Sequence, residues 1–141
     1  VILHFNYEEI QALTAGARAY LGEVGAPESS VVLAPSESRA RVEALLPRLV
    51  GDLSLYTLEE LRAVHGAVAT VVELLRVQME SAVLETHAAD EDAVSAYFDF
   101  AHALTVLHRI EEMAEEMEAM IELVTGESPS AEAARAFQFP D

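Results

Sequence analysis

An all-α helical bundle dominated by a long antiparallel hairpin is the fold class this sequence predicts, on three observations. Apolar side chains recur at alternating three- and four-residue steps from Leu58 to about Glu85 and again from Glu91 to about Val124, the spacing of long helices packed side by side. Hydrophobic residues make up 52% of the 141 positions, which suits one folded domain with a real core rather than a disordered chain. At about 1.5 Å per residue the second stretch would run roughly 50 Å, against a diameter near 37 Å for a compact globule of this length. The hairpin therefore outreaches the rest of the chain, and a homodimer is expected, since most soluble oligomers are symmetric dimers.

Val1 to Phe5 is a β-prone run, and a minor N-terminal strand pairing is expected with Val31 to Leu33 as its partner. Asn6 then has the chemistry of an N-cap, with Glu9 at the third helical position and Phe5 and Ile10 spaced for a hydrophobic staple. Helix 1 follows, from about Tyr7 to Leu21, with Ile10, Leu13, Ala17 and Tyr20 or Leu21 inward. Gly22 to Pro35 reads as a connection lying on the core. Helix 2 runs from about Ser36 towards Val50, with a kink or early end at Pro47, which cannot donate to the carbonyl four residues back.

Thr57 and Glu60 form a second capping box, and Tyr56 and Leu61 a second staple, so helix 3 starts there. The likeness of FNYEEIQAL to YTLEELRAV is mostly this shared capping chemistry and does not establish an internal repeat. Helix 3 carries one seam at Leu61, His65, Val68, Val72, Leu75, Met79 and Ala82, and a second stripe at Val64, Ala67, Val71 and Leu74. Apolar on two sides, it requires two neighbours.

Thr86 to Asp92 is a turn followed by an acidic first helical turn, and helix 4 returns antiparallel. From Ala96 to Leu107 helix 4 is apolar nearly all round, with Tyr97, Phe98 and Phe100, so deep burial is expected of this half. From Ile110 to Val124 one seam remains, Ile110, Met113, Met117, Met120 and Val124, which is the expected oligomer contact. Glu111, Glu115, Glu118 and Glu122 share an outer stripe behind it, flanked by Glu112 and Glu116. Gly126 is a natural C-cap, and Ser128-Pro129 can open a short last helix through about Phe137, with Phe137 and Phe139 as anchors. The whole is one domain: 1–57 holds the N-terminal helices and connections, 58–124 the hairpin, and 125–141 the short helix and tail.

Charge narrows the function classes. The net charge is −17, and it is unevenly spread: −3 over residues 1–57, −3 over 58–88 and −11 over 89–141. Such a surface disfavours direct binding of nucleic acid or anionic lipid, which both need basic groups. All eight basic residues besides the histidines are Arg, which excludes Schiff-base lysines and a lysine-dependent phosphate loop and is the pattern of a GC-rich bacterial genome. Without Cys there is no disulfide framework or thiolate metal site, consistent with a reducing cytoplasm. The most apolar segment, Ala67 to Leu75, is short and contains Glu73, so no membrane span is expected. The sequence starts at Val1, which leaves open a removed N-terminal segment.

Few residues suggest chemistry. A diiron bundle needs inward Glu-x-x-His pairs, and the sequence has only Asp99 with His102 as an approach to one. Antiparallel pairing about residue 88 or 89 sets His65 opposite Glu112, either as a hydrogen-bonded polar core contact or as a metal half-site. The same pairing sets His102 opposite Leu75 and Arg76. The segment AHALT around His102 resembles the phosphoacceptor segment of histidine-containing phosphotransfer domains, which are also four-helix bundles. Thr105 stands where that family has Lys and Val106 where it has Gly. Glu111, Glu112, Glu115 and Glu116 resemble the first half of the magnesium motif of all-α nucleoside triphosphate pyrophosphohydrolases; the second half, E-x-x-D, is missing. That resemblance implies magnesium held against substrate phosphates. No phosphate loop, nucleophile elbow or dinucleotide fingerprint is present.

The reading is thus a non-enzymatic interaction or regulatory protein of the cytoplasm, with no cofactor, no catalytic residue and no metal. It self-associates and offers the Glu111, Glu115, Glu118 and Glu122 face to a basic protein partner, mimicry of nucleic acid being one version of this. The competing readings are an enzyme like the all-α nucleotide pyrophosphohydrolases using the Glu cluster with magnesium, a bundle like the histidine phosphotransfer domains, and acid whose sole task is solvation.

Overall fold

The computed structural model describes residues 1–22, 36–86 and 91–126. In chain order its elements are β1 (Ile2–Leu3), α1 (Tyr7–Tyr20), α2 (Ser36–Leu45), a 3-10 turn (Leu46–Arg48), β2 (Leu53–Ser54), α3 (Leu58–Thr86) and α4 (Glu91–Thr125). The fold is all-α, with α3 and α4 packed against each other as the largest interface and a minor two-stranded sheet beside them.

The helix starts follow their caps. Asn6 has extended backbone, its Oδ1 accepts from Glu9 N at 2.8 Å, and Glu9 Oε1 accepts from Asn6 N at 2.9 Å, closing the box. Phe5 and Ile10 are both half-buried against the core, as a staple requires. At α3, Thr57 Oγ1 accepts from Glu60 N at 3.1 Å while Glu60 Oε2 reaches back to Tyr56 N at 2.7 Å. Tyr56 itself stays exposed, against the staple expected with Leu61. Pro47 ends α2 early: the helix stops at Leu45 and tightens into the 3-10 turn. Gly126, at φ +73°, closes α4 by donating to Glu122 O at 2.7 Å.

The strand partner differs from the expected one. β1 pairs antiparallel with β2, Ile2 opposite Ser54 and Leu3 opposite Leu53. Val31 to Leu33 lies outside the described residues, as do most of the 22–35 connection, residues 87–90 of the turn, and the last helix with Phe137 and Phe139. Two residues of strand are too short to announce themselves by periodicity.

Direction along the bundle follows from contacts. Glu9 of α1 meets Arg109 of α4, and a Cβ built on Gly16 would lie 2.6 Å from Val71 Cγ1 and 3.2 Å from Leu75 Cδ1. So α1 runs parallel to α3 and antiparallel to α4, and the missing side chain lets its backbone press onto α3. α2 packs on the other flank of α3, with Arg41 beside Gly66 and Leu45 beside Val64. The two-sided burial expected of α3 is present: Leu61, Val68, Val72 and Leu75 on one stripe, and Val64, Ala67, Val71 and Leu74 on the other, are all buried. His65, Met79 and Ala82 of the first seam are half-buried.

Helix α4 departs from the deep burial expected of its first half. Tyr97 and Phe98 are each 54% exposed, and Phe100, Leu104 and Leu107 are only half-buried. Each half buries only its inward positions: Ala103 and Val106 in the first are fully buried, as are Ile110 and, at 1% exposed, Ile121 in the second. The cause is length. α1 and α2 lie along the middle of the hairpin, and the stretch nearest its turn projects past them, leaving Leu84 of α3 exposed as well.

Candidate functional site

Three groups of side chains on α4 are candidates. The first is a polar knot joining the ends of the fold. Glu9 is the one buried charged residue among those described, 2% exposed. Arg109 Nη2 donates to Glu9 Oε2 at 3.0 Å, and Nη1 donates to Glu9 Oε1 at 3.3 Å and to His4 O at 2.8 Å. Burial pushes the Glu9 carboxyl up, but the Arg109 hydrogen bonds, the Asn6 N–H and the charges of Arg109 and His102 outweigh it and hold the pKa below its ordinary value. A cleft of about 450 Å3 opens beside this knot, lined by Ile2, Phe5 and Met113 along with the polar groups. Both carboxylate oxygens are occupied, so the knot fixes α1, β1 and α4 in place.

Second is the acidic half of α4. Glu111 Oε2 lies 3.8 Å from His65 Nε2, and Arg62 Nη2 donates to Glu118 Oε1 at 2.9 Å. Two of the four glutamates expected to face a partner thus lean onto α3 of their own chain. His65 faces Glu111, not Glu112 as the pairing about residue 88 or 89 suggested; Glu112 is exposed, as are Glu115, Glu116 and Glu122. Among the described residues no three of His, Asp and Glu lie close enough to hold a metal ion. The pyrophosphohydrolase-like glutamates are therefore distributed between an intramolecular contact and solvent.

His102 is half-buried, within electrostatic reach of Glu9 and Asp99. Burial raises the Asp99 carboxyl, and the charge of His102 works against that shift. Neither residue lies on the exposed side of α4. Thr105 is exposed, but its hydroxyl donates to Ala101 O at 2.9 Å, within the helix.

The expected oligomer seam is largely internal. Ile110 is inside the core, and Met113 and Met117 pack against it, leaving only Met120 and Val124 exposed. Ridge and groove explain this: the seam is the face α4 turns towards α3 and α1. The third group is on the opposite side. Val94, Tyr97, Phe98, Ala101 and Thr105 follow i, i+3, i+4, i+7 and i+11, and all but the half-buried Ala101 are exposed. The Tyr97 and Phe98 rings meet edge to face, centroids 5.8 Å apart.

Sequence reasoning missed two things. Glu9 was legible only as a capping residue, although a single Arg within the acidic stretch 91–126 was a signal that Arg109 has a buried partner. The outward stripe was hidden because an all-round apolar helix does not say which side is covered. No family model matches the chain, and neither a curated protein nor a solved structure shows significant similarity to it.

Proposed function

We propose that this chain is a non-enzymatic interaction or regulatory protein that self-associates through its helical hairpin and presents free carboxylates to a basic partner. The observation that carries the proposal is the division of α4 into an exposed apolar stretch around Tyr97 and Phe98 and an acidic stretch around Glu112 to Glu122. A contiguous apolar surface is what association uses, and acid beside it speeds and orients encounter with a cation-rich protein. No described helix is long and apolar enough to cross a membrane.

Because Glu111 and Glu118 are engaged with α3, the acidic docking face is assigned to Glu112, Glu115, Glu116 and Glu122. Capture of the chain on immobilised polyarginine should weaken as salt is raised from about 50 to 500 mM and should fall several-fold when these four become Gln. Unaltered capture by the Gln variant would reduce the acid to a solvating surface. Sedimentation showing a monomer throughout the micromolar range would remove self-association.

A further inference from the structure

We infer that the outward stripe of α4, Val94, Tyr97, Phe98, Ala101 and Thr105, is the face on which a second copy of this chain docks, antiparallel, about a two-fold axis between Phe98 and Ala101. This rests on the self-association reading above and says where and how it happens.

Charge selects the occupant. The chain carries −17, yet between Asp92 and His108 the stripe bears no charged side chain: Asp99 and His102 are half-buried and lie off it by the helical repeat, and the Thr105 hydroxyl donates to Ala101 O. Two copies can meet here without setting acid against acid. A partner of opposite charge would instead be drawn to the glutamates two or more turns further along.

The side chains are self-complementary in one direction. Placed antiparallel about the midpoint, bulky Phe98 meets small Ala101 of the partner subunit, and Val94 meets Thr105 of the partner subunit, each contact occurring twice as an isologous interface requires. A parallel pairing would stack Phe98 on Phe98 and bring the two runs from Glu111 to Glu122 side by side. Antiparallel pairing instead carries the two Glu115 residues to opposite ends of the dimer, about 45 Å apart along the axis, well beyond the screening length of about 8 Å at physiological salt.

The absence of Cys allows a clean test on the full chain. Sedimentation between about 1 and 200 µM should give a dimer whose Kd rises at least 100-fold in Phe98→Glu, with Ala101→Arg as a second variant and circular dichroism confirming that both fold. Leu123→Ser, also at an exposed apolar position but outside the stripe, should leave the Kd unchanged. Spin labels on Glu112→Cys should sit about 37 Å apart along the axis in the antiparallel dimer and about 10 Å in a parallel one. A wild-type monomer sinks the self-association reading itself. A dimer indifferent to both stripe variants, or one with the short label distance, sinks this interface while self-association stands.

Discussion

The two halves of α4 differ sharply in what they are made of, yet each buries only a few inward positions. Between Val94 and Thr105 eight of twelve residues are apolar, yet Tyr97 and Phe98 remain half in water. Between Ile110 and Ile121 every second or third residue is Glu, yet Ile110 and Ile121 are among the most deeply buried side chains of the fold. α1 crosses to Arg109 and α3 supplies His65 and Arg62 there, whereas the earlier stretch runs out past its neighbours. Burial is decided by the company a helix keeps along its length, and average hydrophobicity is a poor guide to it.

The two stretches separate most clearly on truncation. Ile110→Ala should cost about 3 to 4 kcal/mol through lost contacts and a cavity, while Phe98→Ala should cost the folded monomer under about 1 kcal/mol. Urea denaturation of the two variants at low protein concentration checks this, and equal losses would mean that the stripe is core after all.

Arg109→Ala should follow, at about 3 kcal/mol, because it leaves the Glu9 carboxylate buried without its guanidinium. The pH dependence has a defined sign. Glu9 is held below its ordinary pKa in the folded state, so its contribution is present above the unfolded carboxylate value and disappears as pH falls through the folded one. Stability of Glu9→Gln should accordingly be lower at neutral pH and flatter across the acid limb, as read from melting temperature at successive pH values.

Smaller effects follow where α1 and α2 close onto α3. Gly16→Ala forces a methyl onto Val71, itself buried and stiff at χ1, and should destabilise by about 1 kcal/mol despite the helix-propensity gain. Gly66→Ala meets only the mobile end of Arg41 and should be neutral or stabilising by up to about 1 kcal/mol. Tyr20, buried at the end of α1, has a hydroxyl without a hydrogen-bond partner and a pKa raised by burial. Tyr20→Phe should therefore hold or raise the melting point, a gain of about 1 kcal/mol at most. Smallest is Glu118→Gln, which loosens a half-exposed pair with Arg62 for about 0.5 kcal/mol or less, and less still in high salt.

What was legible in the sequence is what a few neighbouring residues decide. Both capping boxes, the early stop at Pro47, the Gly126 cap and the two stripes of α3 follow from local hydrogen bonding and from the helical repeat. Matters of tertiary placement were not legible. Leu53–Ser54 becomes a strand only because β1 lies next to it, and the Met113 and Met117 seam faces inward only because α1 and α3 occupy that side. The acidic face was read from spacing alone, which places Glu111 and Glu118 on one stripe with Glu115 and Glu122 but cannot reveal that His65 and Arg62 reach across to two of them.

The clip between Glu9 and Arg109 spans 100 positions of chain. At a synthesis rate of some 5–20 residues per second, the first helix leaves the ribosome seconds before its counter-ion has been made, and its carboxylate must stay hydrated in the meantime. Shedding that water and closing α4 onto α1 are one event. A nascent polypeptide stalled before residue 109 would thus have α1 and α3 available to pack, but with the Glu9 carboxylate still lacking its guanidinium.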